Sequence, residues 1–112
     1  MCTANQLKSI QELIAGQYKS VYGNNIDRIL LYGSYARGDS QEGSDIDIAA
    51  IVHGSRRDLQ NKLKPIWSYS AQLGLENDVV ISPVVIPYDE FEQYKDKLPY
   101  YINIDKEGLR IG

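Results

Sequence analysis

The stretch Leu30-Leu31-Tyr32-Gly33-Ser34, then ten residues, then Asp45-Ile46-Asp47-Ile48, constrains this chain more than any other part of it. An apolar run ends on a Gly-Ser turn, a polar connection follows, and carboxylates then alternate with isoleucines. A period of two is the mark of a strand with one face in a core and one face outside it. Ile46 and Ile48 are expected to point inward, while Asp45 and Asp47 share the other face, roughly 6 to 7 Å apart along the strand. The connection of about a dozen residues between the two strands is short for a parallel crossover, so a mixed sheet is expected.

The rest of the chain supplies layers to cover such a sheet. Leu7, Ile10, Leu13, Ile14, Tyr18 and Val21 recur at spacings of three and four, which predicts a helix over residues 4–22. Thr3 and Gln6 are placed for a capping box, and Gly23 with two following asparagines for a stop. Ile26 to Tyr32 reads as a buried strand and Asp45 to Val52 as a second. From Ser55, the positions Leu59, Leu63, Ile66, Trp67 and Leu73 fit one helical face, with Pro65 expected to kink or split the helix. Val79 to Ile86 is a third strand, and Pro83, which cannot donate to a ladder, puts it at an edge or a bulge. Phe91, Tyr94 and Leu98 suit a short helix after Pro87, leaving Pro99 to Ile111 for a turn of helix and a small strand. This order gives an α/β (α+β) class, a small mixed β-sheet flanked by helices. At 112 residues the whole chain, 1–112, is expected to form one domain.

The formal charge of -3 leaves no basic footprint, so tight electrostatic binding of nucleic acid is not expected. The single cysteine, Cys2, has no partner for an internal disulfide. Neither a long apolar span nor a secretion leader is visible, and a cytoplasmic location is the expectation.

The chemistry gathers around the opening motif. Gly33, lacking a Cβ, lets the backbone approach a bulky ligand. Ser34 offers a hydroxyl and a backbone N–H where a helix starts, a place that favours phosphate oxygens. Arg37 lies one turn on, with a donor fork suited to phosphate. Asp45 and Asp47 repel each other unless a cation lies between them, and magnesium prefers such oxygen ligands. A third carboxylate on the neighbouring strand would complete a site for two metal ions. Asp78, read as the head of Val79-Val80-Ile81, is the candidate, with Glu76 in reserve.

Gly33-Ser34, ten residues, Asp45-x-Asp47 resembles the signature of the nucleotidyltransferase superfamily that includes DNA polymerase β. The short chain resembles its minimal nucleotidyltransferases, most strongly over Leu30 to Ile51. Leu98 to Leu109 also resembles the closing segment of such proteins. The resemblance implies the nucleotidyltransferase fold, Mg2+ (two ions) and ATP or another nucleoside triphosphate. It places Ser34, Arg37 and Ser44 on the phosphates and Asp45 and Asp47 on the metal.

Only 34 residues follow Asp78, too few for a region that holds an acceptor. Minimal nucleotidyltransferases are similar in this to antitoxins paired with HEPN-domain toxins, where the implied reaction moves AMP from ATP to a tyrosine of the toxin. Two alternatives stay open: a module that masks the toxin without chemistry, and an enzyme for a small hydroxylated molecule of the aminoglycoside type, which a homo-oligomer would serve. Tyr94, Tyr100 and Tyr101 suit a contact surface or a core, Tyr32 or Tyr35 a stack on a base. Lone His53 reads as a turn residue, and Arg56 and Arg57 as a solvated first helical turn.

Overall fold

The computed structural model describes residues 2–112. Helix α1 spans Ala4–Tyr22 and opens on the expected capping box: the Thr3 hydroxyl accepts from the Gln6 N–H at 3.1 Å, and the Gln6 side chain accepts from the Thr3 N–H at 2.9 Å. A 3-10 turn over Gly23–Asn25 leads into β1, Ile26–Tyr32. The one-turn helix α2, Ser34–Arg37, sits between β1 and β2, Ile46–Val52.

Helix α3 runs from Arg56 to Asn77 without a split at Pro65. Pro65 lies on the exposed side, where the carbonyl left without its N–H donor is open to water. The Ser55 hydroxyl caps the start by accepting from the Asp58 N–H at 3.3 Å. Strand β3 is Ile81–Pro87, beginning two residues later than the sequence predicts. Helix α4 is Tyr88–Tyr94, α5 is Pro99–Glu107, and β4 is Leu109–Arg110. Nine residues of α5 exceed the single turn expected. Pro99 presets its first turn, and Tyr101 and Ile104 bury its inner face.

The sheet is mixed, in the order β3-β2-β1-β4. β1 is antiparallel to both β2 and β4, and β2 is parallel to β3. Pro83 therefore lies on an edge strand, as its missing donor requires. Its register partner is Ile48, and the Tyr18 hydroxyl bonds the carbonyls on either side of this gap, Ile48 at 3.2 Å and Val84 at 2.8 Å.

Alternation on β2 divides the core. Ile46, Ile48, Ala50 and Val52 pack with Ile10, Ile14, Tyr18, Leu63 and Ile66 from α1 and α3. Ala49 and Ile51 face the other way, with Leu30 and Tyr32 of β1 and with Phe91, Tyr101 and Ile104 from α4 and α5. The C-terminal end of β1 and the starts of β2 and β3 meet at one end of this sheet, and the candidate residues lie there. No helix among the described residues is long and apolar enough to cross a membrane.

Candidate functional site

Gly33 leaves β1 with φ 75, a conformation that favours glycine. A Cβ built on it would clash with Oδ2 of Asp47. The turn and the second aspartate, fourteen residues apart in the chain, thus meet in space, and the absent side chain is what lets them meet. Past the turn, the Gly33 carbonyl accepts from the N–H groups of Ala36 and Arg37 at 3.1 and 3.0 Å, closing α2. The first N–H groups of such a turn have no acceptor within the helix and suit phosphate oxygens. The connection then closes on itself, with the Gln41 N–H donating to the Ser44 hydroxyl at 2.8 Å and the Ser44 N–H donating to the Gln41 carbonyl at 2.9 Å.

Asp45 is exposed just before β2, whereas Asp47 is half-buried within it. Asp47 registers with Tyr32 on one side and Ser82 on the other. Burial and then the charge of Asp45 push the Asp47 carboxyl up from its ordinary range, and Arg37 pulls it part of the way back. The half-buried Asp47 carboxylate, the exposed Asp45 two residues before it and a glycine that leaves room against Asp47 form a donor set suited to a hard divalent cation completed by ligand oxygens.

Arg37 is held by Asp39, Nε to Oδ2 at 3.1 Å, and by Glu107, Nη1 to Oε2 at 3.0 Å. These two partners raise its already high pKa. Any phosphate must displace or share them. The Tyr32 hydroxyl pairs with that of Tyr100 at 2.8 Å, and burial, Tyr100 and Asp47 all push the Tyr32 phenol up. Helix α5 thus borders the site at two points, Tyr100 and Glu107. The sequence reading assigned neither to the site, although Pro99 and Gly108 are recognisable start and stop signals for the helix that carries both.

Asp78 is not the head of a strand. It caps α3 in the left-handed conformation, with φ 55 and ψ 44, while the Val79 N–H turns back to the Gly74 carbonyl at 3.0 Å. This wide turn delays β3 to Ile81, and Ser82 takes the place opposite Asp47. Glu76 stays exposed on α3, accepting from Gln72. No group of three metal-binding acids forms among the described residues, so the expected third carboxylate is not brought to Asp45 and Asp47. Asp78 instead lines a cavity of about 470 Å3 together with Tyr35, Glu42, Ser44 and Val80.

His53 behaves as a turn residue, its ring tilted against that of Tyr88 and its backbone N–H donating to the Asn25 carbonyl at 2.8 Å. Arg56 is not simply solvated: it pairs with Glu90 and reaches the Tyr101 hydroxyl at 3.3 Å, tying α3 to α4 and α5.

Residues 11–96 match the family described as polymerase beta, nucleotidyltransferase. The chain belongs to this nucleotidyltransferase family. A Methanocaldococcus jannaschii protein named as a protein adenylyltransferase is 34% identical over 82 residues, spanning 67% of this chain and 81% of its own length. Among solved structures, one described as a minimal nucleotidyltransferase superposes with a TM-score of 0.59 at 16% identity, covering 94% of this chain and 92% of that one. A Shewanella oneidensis tri-AMPylated HEPN toxin in complex with MNT antitoxin superposes at 0.51 and 14% identity, covering 95% and 71%. The last two likenesses show the shared fold of this nucleotidyltransferase.

Proposed function

We propose that this nucleotidyltransferase moves AMP from ATP to a tyrosyl hydroxyl of a HEPN-type partner protein, with magnesium held by Asp45 and Asp47. The observation that carries the reading is the contact of the Asp47 carboxylate with the bare backbone of Gly33. It supports a reading in which the turn binds phosphate beside a carboxylate that holds the metal. The relative named as a protein adenylyltransferase supports the reaction class, and the toxin complex of the same fold supports the partner.

Each residue then has a defined task. Gly33 opens the backbone to the nucleotide, the Ser34 hydroxyl and the first N–H groups of α2 bind phosphate oxygens, and the Ser44 hydroxyl donates to them as well. Arg37 exchanges Asp39 or Glu107 for a phosphate oxygen. Magnesium, when bound, neutralises charge on the phosphates. The acceptor oxygen forms a bond to the α-phosphorus, the bond to the β-phosphate oxygen breaks, and pyrophosphate leaves. As the new bond forms, the proton of the acceptor hydroxyl passes to a carboxylate of the site, Asp47, which lies half-buried against Gly33. Alignment of the reactants carries much of the acceleration. Asp78 has no part in this metal set.

Incubation with ATP labelled at the α-phosphate, magnesium and a HEPN-type protein from the same organism tests the reading. Label is expected on a tyrosine of that protein and is lost when Asp45→Asn and Asp47→Asn are combined. Equal labelling by the double variant contradicts it.

A further inference from the structure

Trp67, Ala71 and Leu75 follow one another at spacings of four along α3, and all are exposed, Trp67 at 51% and Leu75 at 81%. Residues at this spacing lie one above the other on a helix, so they form an apolar stripe about 12 Å long. The sequence pattern assigns Trp67 to the buried face, but the packed positions of α3 are Leu59, Leu63, Ile66, Ser70 and Leu73, one row away. At its C-terminal end the stripe opens into the cavity walled by Tyr35, Leu75, Val79 and Val80, the last 58% exposed. Single exposed apolar side chains are ordinary, whereas a contiguous set around a concavity marks a binding surface.

The charge around it selects the occupant. Asp78 lines the cavity, Glu76 stands beside Leu75, and among the described residues the lining holds no lysine or arginine. Helix α3 also ends here with no basic residue in its last turn, adding the negative end of its dipole. Among the described residues no group of three metal-binding side chains stands here to offset a triphosphate's charge, whereas an apolar anchor flanked by cations complements this field.

We infer that this face docks the acceptor protein, through a segment that puts an aliphatic or aromatic side chain into the cavity with lysine or arginine on its flanks. The inference rests on the reading of the protein as an enzyme acting on a partner, and it names the surface that reading lacks. Ser44 belongs both to the cavity wall and to the connection that leads directly into Asp45. A partner seated here lies against the loop that feeds the metal pair.

Calorimetry with the HEPN-type protein tests this, using Leu75→Glu and Glu76→Lys, both at exposed positions where folding is not at stake. Leu75→Glu is expected to weaken partner binding about tenfold or more, and Glu76→Lys to weaken it by a smaller factor. Both are expected to bind MgATP as the wild type does. Unchanged partner affinity in both variants overturns the inference. So does loss of MgATP binding in Leu75→Glu, which assigns the cavity to the nucleotide, or self-association of the wild type that Leu75→Glu abolishes. A partner that binds this face but receives no AMP contradicts the proposed reaction and leaves the docking face standing. AMP transfer with undiminished binding by Leu75→Glu does the reverse, and a partner that does not bind the wild type overturns both.

Discussion

On the α1/α3 side of the sheet, Ile46, Ile48, Ala50 and Val52 are fully buried among apolar side chains. On the α4/α5 side, the same strand presents a half-buried carboxylate, Asp47, against Gly33 and across from Tyr32. At the start of β2 one residue separates a position that stabilises the fold, Ile48, from one that holds charge at a cost, Asp47, whereas Ala49 and Ile51 further along the Asp47 face return to apolar core. Substitutions at Ile48 and Asp47 therefore have opposite signatures. The second side is where a reactive carboxyl is available because its surroundings leave its charge unsatisfied.

The widest contrast lies between Ile48 and Asp47, adjacent in the chain. Ile48→Ala is expected to lower the unfolding free energy by about 2 to 5 kcal/mol in denaturant titrations, while the folded protein keeps its affinity for MgATP. Asp47→Asn is expected to reduce nucleotidyl transfer by roughly a hundredfold or more without destabilising the fold. If Asp47→Asn unfolds the protein as readily as Ile48→Ala does, the contrast fails.

Gly33→Ala bridges the two signatures. Positive φ and the clash with Asp47 are expected to cost about 1 to 3 kcal/mol and to displace the carboxylate, so stability and MgATP affinity fall together. Tyr18→Phe belongs to the first side alone. It removes the hydroxyl that serves the carbonyls flanking Pro83, for a loss of about 1 kcal/mol with transfer unaffected.

The sign of the pH response separates the sides further. Because the folded protein holds Asp47 more protonated than the unfolded chain does, the contribution of Asp47 to stability is expected to fall as pH rises from the ordinary carboxylate range through the raised value, and to level off above it. Asp47→Asn is expected to remove that fall and to raise the melting temperature near neutral pH, and magnesium with ATP to raise that of the wild type. A melting temperature of Asp47→Asn with the same pH slope as wild type contradicts the assignment. The smallest effect is expected from Glu107→Gln, which frees one side of Arg37: a modest gain in MgATP affinity by calorimetry, with unchanged stability.

Features with a short period or a short range were legible in the sequence. The alternation at Asp45 to Ile48, the Thr3–Gln6 box, both β1 and the span of α1, and the choice of edge or bulge that Pro83 imposes, met here by an edge, all depend on residues a few places apart. The spacing also puts Gly33 and Asp47 in one candidate site, and in the structure the two meet, with a carboxylate occupying the space of a missing side chain. Asp78 was misplaced because the start of β3 depends on how α3 terminates, and a left-handed cap at an aspartate has no strong local signal. Trp67 fits a helical period on paper, but which row of α3 faces the core is decided by its packing on α1 and β3. Glu107 and Tyr100 reach the site from 70 and 68 residues away, across a fold that no local pattern contains.

Titration of MgATP into the wild type and into the Asp45→Asn, Asp47→Asn double variant, followed calorimetrically, bears most directly on the pairing of turn and carboxylates. Saturable heat that needs both magnesium and nucleotide in the wild type, and is absent from the folded double variant, is the expected result. Equal binding by the two proteins, or no heat from the wild type, would contradict the account.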